Sequence, residues 1–466
     1  MVDKADTLIV SCYELGHQPV AAASTAAFLE RAGHRVALLD LAVDSLDELE
    51  RIEDARRVRL VAVSVPMHTA LHAGIRAVAG IRKALPDAHL CFFGLYASLN
   101  SDHLFDGICD SVIGGEFEGP LVELAGALAA NRTLDGVRGL QRPGRPAKPH
   151  LERLSFVVPS RGGLPPLERY ARLEIEGESR LAAAVEASRG CLHLCRHCPI
   201  PPVYEGRFFV VPRDVVGEDI RRVAAAGARH VTFADPDFLN GPGHSMAIVR
   251  AMHAEHPELT FDVTTKVENI LKHREKLNEL ASCGCVFVVT AVESLSDEVL
   301  GNLRKGHTRD DVFAASRLLR AAGITMRPSL VSFTPWTRMD DYLEVLEWVE
   351  RDTLAHQIDA VQYSIRLLVP PGSTLLELES LWPHLQGLAP ARLSYAWSHP
   401  DPRMDRLHRE VSAIVQDAAR TDEQADRTFR RVRDAAFTAA GSVSPTRVAP
   451  ARVTAPPPRL TEPWFC

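Results

Sequence analysis

Three cysteines fall within one short run of the 466-residue chain, Cys191-Leu-His-Leu-Cys195-Arg-His-Cys198. Thiolate sulfur is a soft ligand that both iron and zinc accept. Three thiolates from one loop can hold three irons of a cubane cluster. The fourth iron is then open to a small chelating molecule, much as a catalytic zinc keeps one position free. A second chemistry fits the same letters: a Cys3His zinc site closed by His193 or His197. Structural zinc loops usually divide their ligands between two separated pairs, which weighs against zinc.

The rest of the composition is that of a globular protein, 46% hydrophobic and 24% charged, with a formal net charge of −7. That balance, with no long run of one sign, argues against electrostatic capture of nucleic acid or an anionic membrane. Asp3, Lys4 and Asp6 precede an apolar stretch too short for a secretory signal. No apolar run reaches the length of a membrane span. The expectation is a cytoplasmic protein whose nine cysteines stay thiols unless they bind metal.

The elements that must position the cysteine run can be read on both sides of it. Before it, short β-branched runs at 7–12, 35–40, 59–65, 89–94 and 110–114 alternate with apolar residues at helical spacing, such as Ala22, Ala26 and Leu29, then Ile75, Val78 and Ile81. Such alternation predicts a doubly wound parallel sheet, with ligands at the carboxyl ends of its strands. The loops there carry neither GxGxxG nor GxxxxGK[ST], which excludes nucleotide sites of those two types. After a Pro- and Gly-rich connection, strands are predicted at 182–188, 230–234, 260–265, 286–291, 325–331 and 360–368. Six βα units are two short of the eight that close a barrel, so a partial barrel is expected. The predicted organisation is an α/β chain. Residues 1–145 form the first sheet domain, 146–180 a linker, 181–395 the partial barrel, 396–441 a small helical region and 442–466 an extended tail.

A C-x3-C-x2-C run after the first strand of a partial βα barrel resembles the radical S-adenosylmethionine (SAM) enzymes. The resemblance implies that Cys191, Cys195 and Cys198 ligate a [4Fe-4S] cluster. It also implies that SAM binds the open iron and is reductively cleaved to a 5′-deoxyadenosyl radical. His197 takes the position of the residue near the adenine. Phe233-Ala-Asp235-Pro-Asp237-Phe238 resembles the second-strand element that holds the methionine amino group. Val292-Glu293-Ser294, with Leu300 and Lys305-Gly306, resembles the fourth-strand glutamate–serine element, where Glu293 would accept ribose hydroxyls. Each of these residues also has a plain reading. Asp235 and Asp237 suit turns or N-caps, and Glu293 suits a surface pair with Lys305. Lys266 and Arg327 are candidate partners of the SAM carboxylate or ordinary solvated cations.

A flavodoxin-like, Rossmann-type domain ahead of such a barrel resembles the cobalamin-binding domain of B12-dependent radical SAM proteins. The likeness rests on residues 16–39 with the turn Gly33-His34-Arg35-Val36, on Phe93-Gly94, and on Ile113-Gly114-Gly115-Glu116 with Glu118. The Asp-x-His-x-x-Gly pattern that ligates cobalt in another cobalamin class is absent. His17 and His68 lie on candidate loops without that pattern. Cys12, Cys91 and Cys109 read as packing residues, and Cys283-Gly-Cys285 as core.

Val267-Glu268-Asn269, the run from Gln362 to Ser373, and Arg459-Leu-Thr-Glu-Pro-Trp-Phe-Cys466 together resemble the radical SAM proteins with a CUAEP or CCAEP tail, where U is selenocysteine. That likeness implies a redox-active or metal-binding pair at Cys466 and a next residue encoded by an in-frame UGA. The leading functional expectation is cobalamin-dependent methyl transfer to an unactivated centre, with an external flavodoxin- or ferredoxin-type electron donor and a small-molecule or peptide substrate. Two other readings compete with it: a methylthiotransferase using Cys12 for another cluster, and a non-catalytic cobalamin- or zinc-binding protein.

Overall fold

The computed structural model describes residues 5–51, 57–442 and 456–462. The amino-terminal sheet contains β1 (Thr7–Ser11), β2 (Val36–Asp40), β3 (Leu60–Ser64), β4 (His89–Phe93), β5 (Ser111–Ile113) and β6 (Leu140–Gln141). Its order is β2-β1-β3-β4-β5-β6, parallel except for the antiparallel edge β6. This is the flavodoxin-like doubly wound order. The period of two in each strand explains the two layers. Val10, Val61, Val63 and Phe92 bury one face against the helix His68–Ala84. Ile9, Leu60, Ala62 and Phe93 bury the other against the helices Val20–Arg31 and Glu118–Ala129. Because both faces are covered, the strands are near-continuous apolar runs, which made them legible.

The second sheet begins inside the predicted linker, with the hairpin β7 (Arg172–Ile175) and β8 (Glu178–Val185). A short antiparallel pair follows, β9 (Ser188–Gly190) with β10 (Phe208–Val210). Then come β11 (His230–Phe233), β12 (Thr260–Thr265), β13 (Cys285–Glu293) and β14 (Thr325–Leu330), parallel to one another and to β8. A peripheral hairpin, β15 (Leu385–Ala389) with β16 (Ser394–Trp397), precedes two helices, Pro402–Thr421 and Ala425–Ala439. Finally β17 (Arg459–Leu460) pairs antiparallel with β7. The order β14-β13-β12-β11-β8-β7-β17 makes a curled half-barrel. Val185, Val231, Phe233, Val263 and Val288 face the helices on its convex side.

One predicted strand differs. Residues 360–368 form a 3-10 turn, Ala360–Ser364, and a single parallel bridge between Phe333 and Arg366. The Gln362 side chain accepts the Leu330 amide at 2.9 Å, and its carbonyl accepts the Ser332 hydroxyl at 2.7 Å. Side-chain bonds thus take the place of a sixth ladder. The tail residues Pro463–Cys466, which carry the end of the CUAEP-like run, lie outside the described residues, as does most of the expected 442–466 tail.

The two domains are joined by buried polar contacts. Arg161 donates to Gln18 of the first domain at 3.0 Å and to Asp219 and the Ala184 carbonyl of the barrel at 2.7–2.9 Å. Arg189, 5% exposed, pairs with Glu116 and Glu118 across the boundary and with Glu186 beside it. Tyr204 donates to Glu116 at 2.9 Å.

Candidate functional site

β8 ends at Val185 and the chain re-forms as β9 before the cysteine loop starts at Cys191. Gly190, at φ +70°, makes the hinge between them. A Cβ there would lie 2.3 Å from the Arg207 carbonyl and 2.7 Å from the Tyr204 ring, so only glycine fits. Asp235 holds the same segment from the end of β11, accepting the Ala187 amide at 2.9 Å and the Ser188 hydroxyl. Both of its oxygens are therefore committed to bracing the loop, and burial raises its carboxyl to about 7.

Cys191 and Cys195 are buried and Cys198 is half-buried, all as free thiols. Their sulfurs lie close enough for each charge to disfavour the next; burial, with that repulsion, pushes Cys198 up to about 12 and raises Cys191. Asn240 Nδ2 lies 3.5 Å from Cys191 Sγ and donates to it. Among the described residues no trio of His, Cys, Asp or Glu is arranged around a single ion. A cubane asks for something else, since its three thiolates each bind a different iron. Both imidazoles proposed for a zinc site face carboxylates instead: His197 Nε2 is 3.3 Å from Glu293, and His193 lies 3.7 Å from Asp237 and 3.6 Å from Glu268.

Asp237 is an N-cap, accepting Leu239 N at 3.1 Å, and it also accepts Thr265 at 2.6 Å and Asn269 Nδ2 at 2.9 Å. It ties the ends of β11 and β12 together beneath His193. Glu293 ends β13 in the left-handed region, at φ +64°, where the ladder to β14 shifts register. Its side chain accepts Lys305 Nζ at 3.1 Å. Burial would raise its pKa, but Lys305 and His197 outweigh that and hold it at about 2. The Glu293–Lys305 pair is not on the surface: both residues are buried, and Lys305 also faces Cys195 and Cys198. Ser294 is buried beside them, its hydroxyl accepting Ser296 N at 3.0 Å. Cys191, Cys195, Cys198, His197, Glu293 and Lys305 thus converge at one end of the half-barrel. Asp235 and Asp237 form its supports. Lys266 is buried there too, 3.1 Å from His193, whereas Arg327 is engaged elsewhere by Asp359.

Sequence reasoning missed Asn240, Arg189 and the burial of Lys305. An asparagine far from the motif carries no signal that it will meet a sulfur. Arg189 stands two residues before Cys191, which was the one available hint.

Polar atoms without partners mark where larger groups fit. His197 Nδ1, Asn240 Oδ1 and His307 Nδ1 are buried and unpaired around the cysteine loop. At the carboxyl edge of the first sheet, Glu14 Oε1, His17 Nδ1 and Asn100 Oδ1 are likewise unpaired. Such donors and acceptors suit an amide-rich ligand laid along that edge. His68, the other loop histidine, is bonded to the Arg392 carbonyl at 2.9 Å. Cys12 is buried with its thiol raised to about 12, chiefly by burial. Cys109 faces Cys91, whereas the Cys12 thiol faces Asp40 and Arg76.

Doubly wound sheet, half-barrel and three-thiol loop define the class of protein, and comparison with known proteins agrees. Residues 185–351 match the radical SAM superfamily, and residues 7–125 match the B12 binding domain. The chain carries a radical SAM domain and, ahead of it, a B12-binding domain. The first domain implies cobalamin, and the second a [4Fe-4S] cluster and SAM. The chain is 27% identical to hopanoid C-3 methylase of Methylococcus capsulatus, across 69% of this chain and 62% of that protein, so it spans less than two thirds of that relative's length. It shares its fold with the cobalamin-dependent SAM radical enzyme OxsB, solved with aqua-cobalamin. There the TM-score is 0.71 and the identity 16%, covering 89% of this chain and 67% of that one. The methyltransferase TsrM from Kitasatospora setae, solved with cobalamin and a [4Fe-4S] cluster, superposes with a TM-score of 0.65 and 17% identity, over 94% and 100% of the two chains. No helix among the described residues is long and apolar enough to cross a membrane.

Proposed function

We propose that this chain is a cobalamin-dependent radical SAM methyltransferase acting on an unactivated carbon or phosphorus centre of a small molecule. The observation that carries the reading is the single loop of three thiols set between the buried Lys305–Glu293 pair and the B12-binding domain. When bound, the cluster supplies the electron that cleaves SAM and cobalamin supplies the methyl group.

Cys191, Cys195 and Cys198 would hold the cluster, and the raised thiol pKa values of Cys191 and Cys198 mean that loading displaces protons from them. Lys305 offsets the negative charge gathered by these sulfurs and Glu293. Glu293, kept ionised, accepts ribose hydroxyls, and His197 with Ser294 lines the same side. Asp235 and Asp237 keep the loop and strand ends in register. The first sheet domain is the cobalamin-binding unit, and the half-barrel that begins at β7 is the unit that holds cluster and SAM. Electrons come from an external flavodoxin- or ferredoxin-type donor in the cytoplasm, and no nucleic acid takes part.

Anaerobic reconstitution tests this. About four irons per chain, bound cobalamin and release of 5′-deoxyadenosine or methylated product support the reading. Loss of iron in Cys195→Ala is expected with them. Zinc in place of iron, or about eight irons, refutes it.

A further inference from the structure

The three thiols of the cysteine loop do not have equal surroundings. Cys195 and Cys198 face the buried ammonium of Lys305. Cys191 instead takes the side-chain amide of Asn240, 3.5 Å from its sulfur, together with the His193 backbone N–H. The His193 donor comes with the cysteine loop itself. Asn240 comes from another element, the 3-10 turn Phe238–Asn240 between β11 and the helix Pro242–Glu255. That turn is fixed from three sides. Asp237 caps it through Leu239 N, and the Asn240 backbone N–H donates to the Asp237 carbonyl at 3.1 Å. Phe238 and Leu239 are each 1% exposed within the core. The Ser245 hydroxyl donates to the Phe238 carbonyl. The direction of the Asn240 side chain is thus set by the fold rather than by the sulfur. Its other end, Oδ1, is buried and without a partner among the described residues. A sulfur bound to iron carries no proton and only accepts, so the Nδ2 end of the amide must face it.

We propose, resting on the radical SAM reading above, that Asn240 is a positioning residue that sets the reduction potential of the cluster from outside the cysteine loop. It acts through Cys191 and touches no substrate. One-electron reduction adds a negative charge that spreads over the cluster and its thiolates. A hydrogen bond to a ligand sulfur lowers the energy of that added charge, so it stabilises the reduced cluster more than the oxidised one. The electron comes from the external one-electron donor, and the bond between Asn240 and Cys191 is present before and after the step. A neutral amide does this without adding a charge, so the Lys305–Glu293 balance beside Cys195 and Cys198 is left as it is. Removing the donor lowers the potential and makes the cluster harder to reduce.

The test is a redox titration of the full-length protein, reconstituted anaerobically with iron and sulfide, in which electron paramagnetic resonance counts the reduced cluster at set potentials. The comparison is made at the potential that half-reduces the wild type. Asn240→Leu, which keeps the shape without the donor, is expected to lower the ratio of reduced to oxidised cluster at least threefold. Asn240→Asp, which brings a negative charge and no N–H, lowers it further, and Asn240→Gln, which keeps the amide, restores part of it. An unchanged or raised ratio in Asn240→Leu overturns the proposal. Should Asn240→Leu fail to take up iron, the ratio in Asn240→Asp decides in the same way. Loss of iron from both variants beside a loaded wild type also overturns it, because Asn240 would then serve assembly rather than potential. A wild-type preparation that takes up no cluster overturns the parent reading instead.

Discussion

Lys305 Nζ lies 3.1 Å from Glu293 Oε1 at a point where the lysine is 2% exposed, and the same ammonium faces Cys195 and Cys198. A cation buried this deeply stands only because its anions surround it. The pair makes the floor of the site an electrostatic unit rather than a collection of side chains.

Removing that cation leaves Glu293 buried with the His197 imidazole, 3.3 Å away, as its remaining partner among the described residues. Lys305→Met is expected to cost about 3–5 kcal/mol of unfolding free energy. Glu293 then titrates well above its present value of about 2. Denaturant unfolding measures the loss. The double variant Lys305→Met/Glu293→Leu should recover much of it while leaving SAM binding impaired.

His17 titrates near 4 in the folded protein because burial disfavours its charge more than Asp262 favours it, with His230 also facing the ring. The unfolded imidazole titrates near 6.5. Between these values the unfolded state binds more protons, so stability rises with pH. The contribution is complete above about pH 6.5 and is lost toward pH 4, on the order of 3 kcal/mol. In His17→Asn, unfolding curves from pH 4 to 7 should be flatter by that amount.

Gly190→Ala places a methyl group against the Arg207 carbonyl at a positive φ. A destabilisation of at least ~2 kcal/mol is expected. The cysteine loop is displaced with it, so iron uptake falls even in preparations that remain folded. Iron content per folded chain separates the two effects.

Arg189→Met strands three carboxylates, Glu116, Glu118 and Glu186, at the domain boundary. The expected result is a loss of about 3–5 kcal/mol and faster hydrogen exchange at β9 and in the helix Glu118–Ala129. Adding Glu118→Gln should return part of the protection by removing one stranded charge.

What the sequence made legible is what repeats locally. The five parallel strands of the first sheet are largely apolar, and the cysteine spacing states its chemistry within eight residues. Features that depend on distant partners were not legible. Glu293 and Lys305, twelve residues apart, look like an ordinary surface pair, yet the fold buries both at the end of β13. The run 360–368 has the composition of a strand, yet the Leu330 amide goes to the Gln362 side chain and the Gln362 carbonyl to the Ser332 hydroxyl. β17 is only two residues long, and nothing in its letters names β7 as its partner.

The pairing of β17 with β7 also sets an order of events during synthesis. Leu460 meets Leu173 only after nearly all of the intervening chain has been translated, a delay of roughly 15–60 s at cellular elongation rates. The first sheet needs no such wait, because its strands and covering helices are complete by Gln141. The nascent protein therefore passes through a stage in which one domain is finished while the other still lacks the strand that packs Leu460 on Leu173 and Phe287.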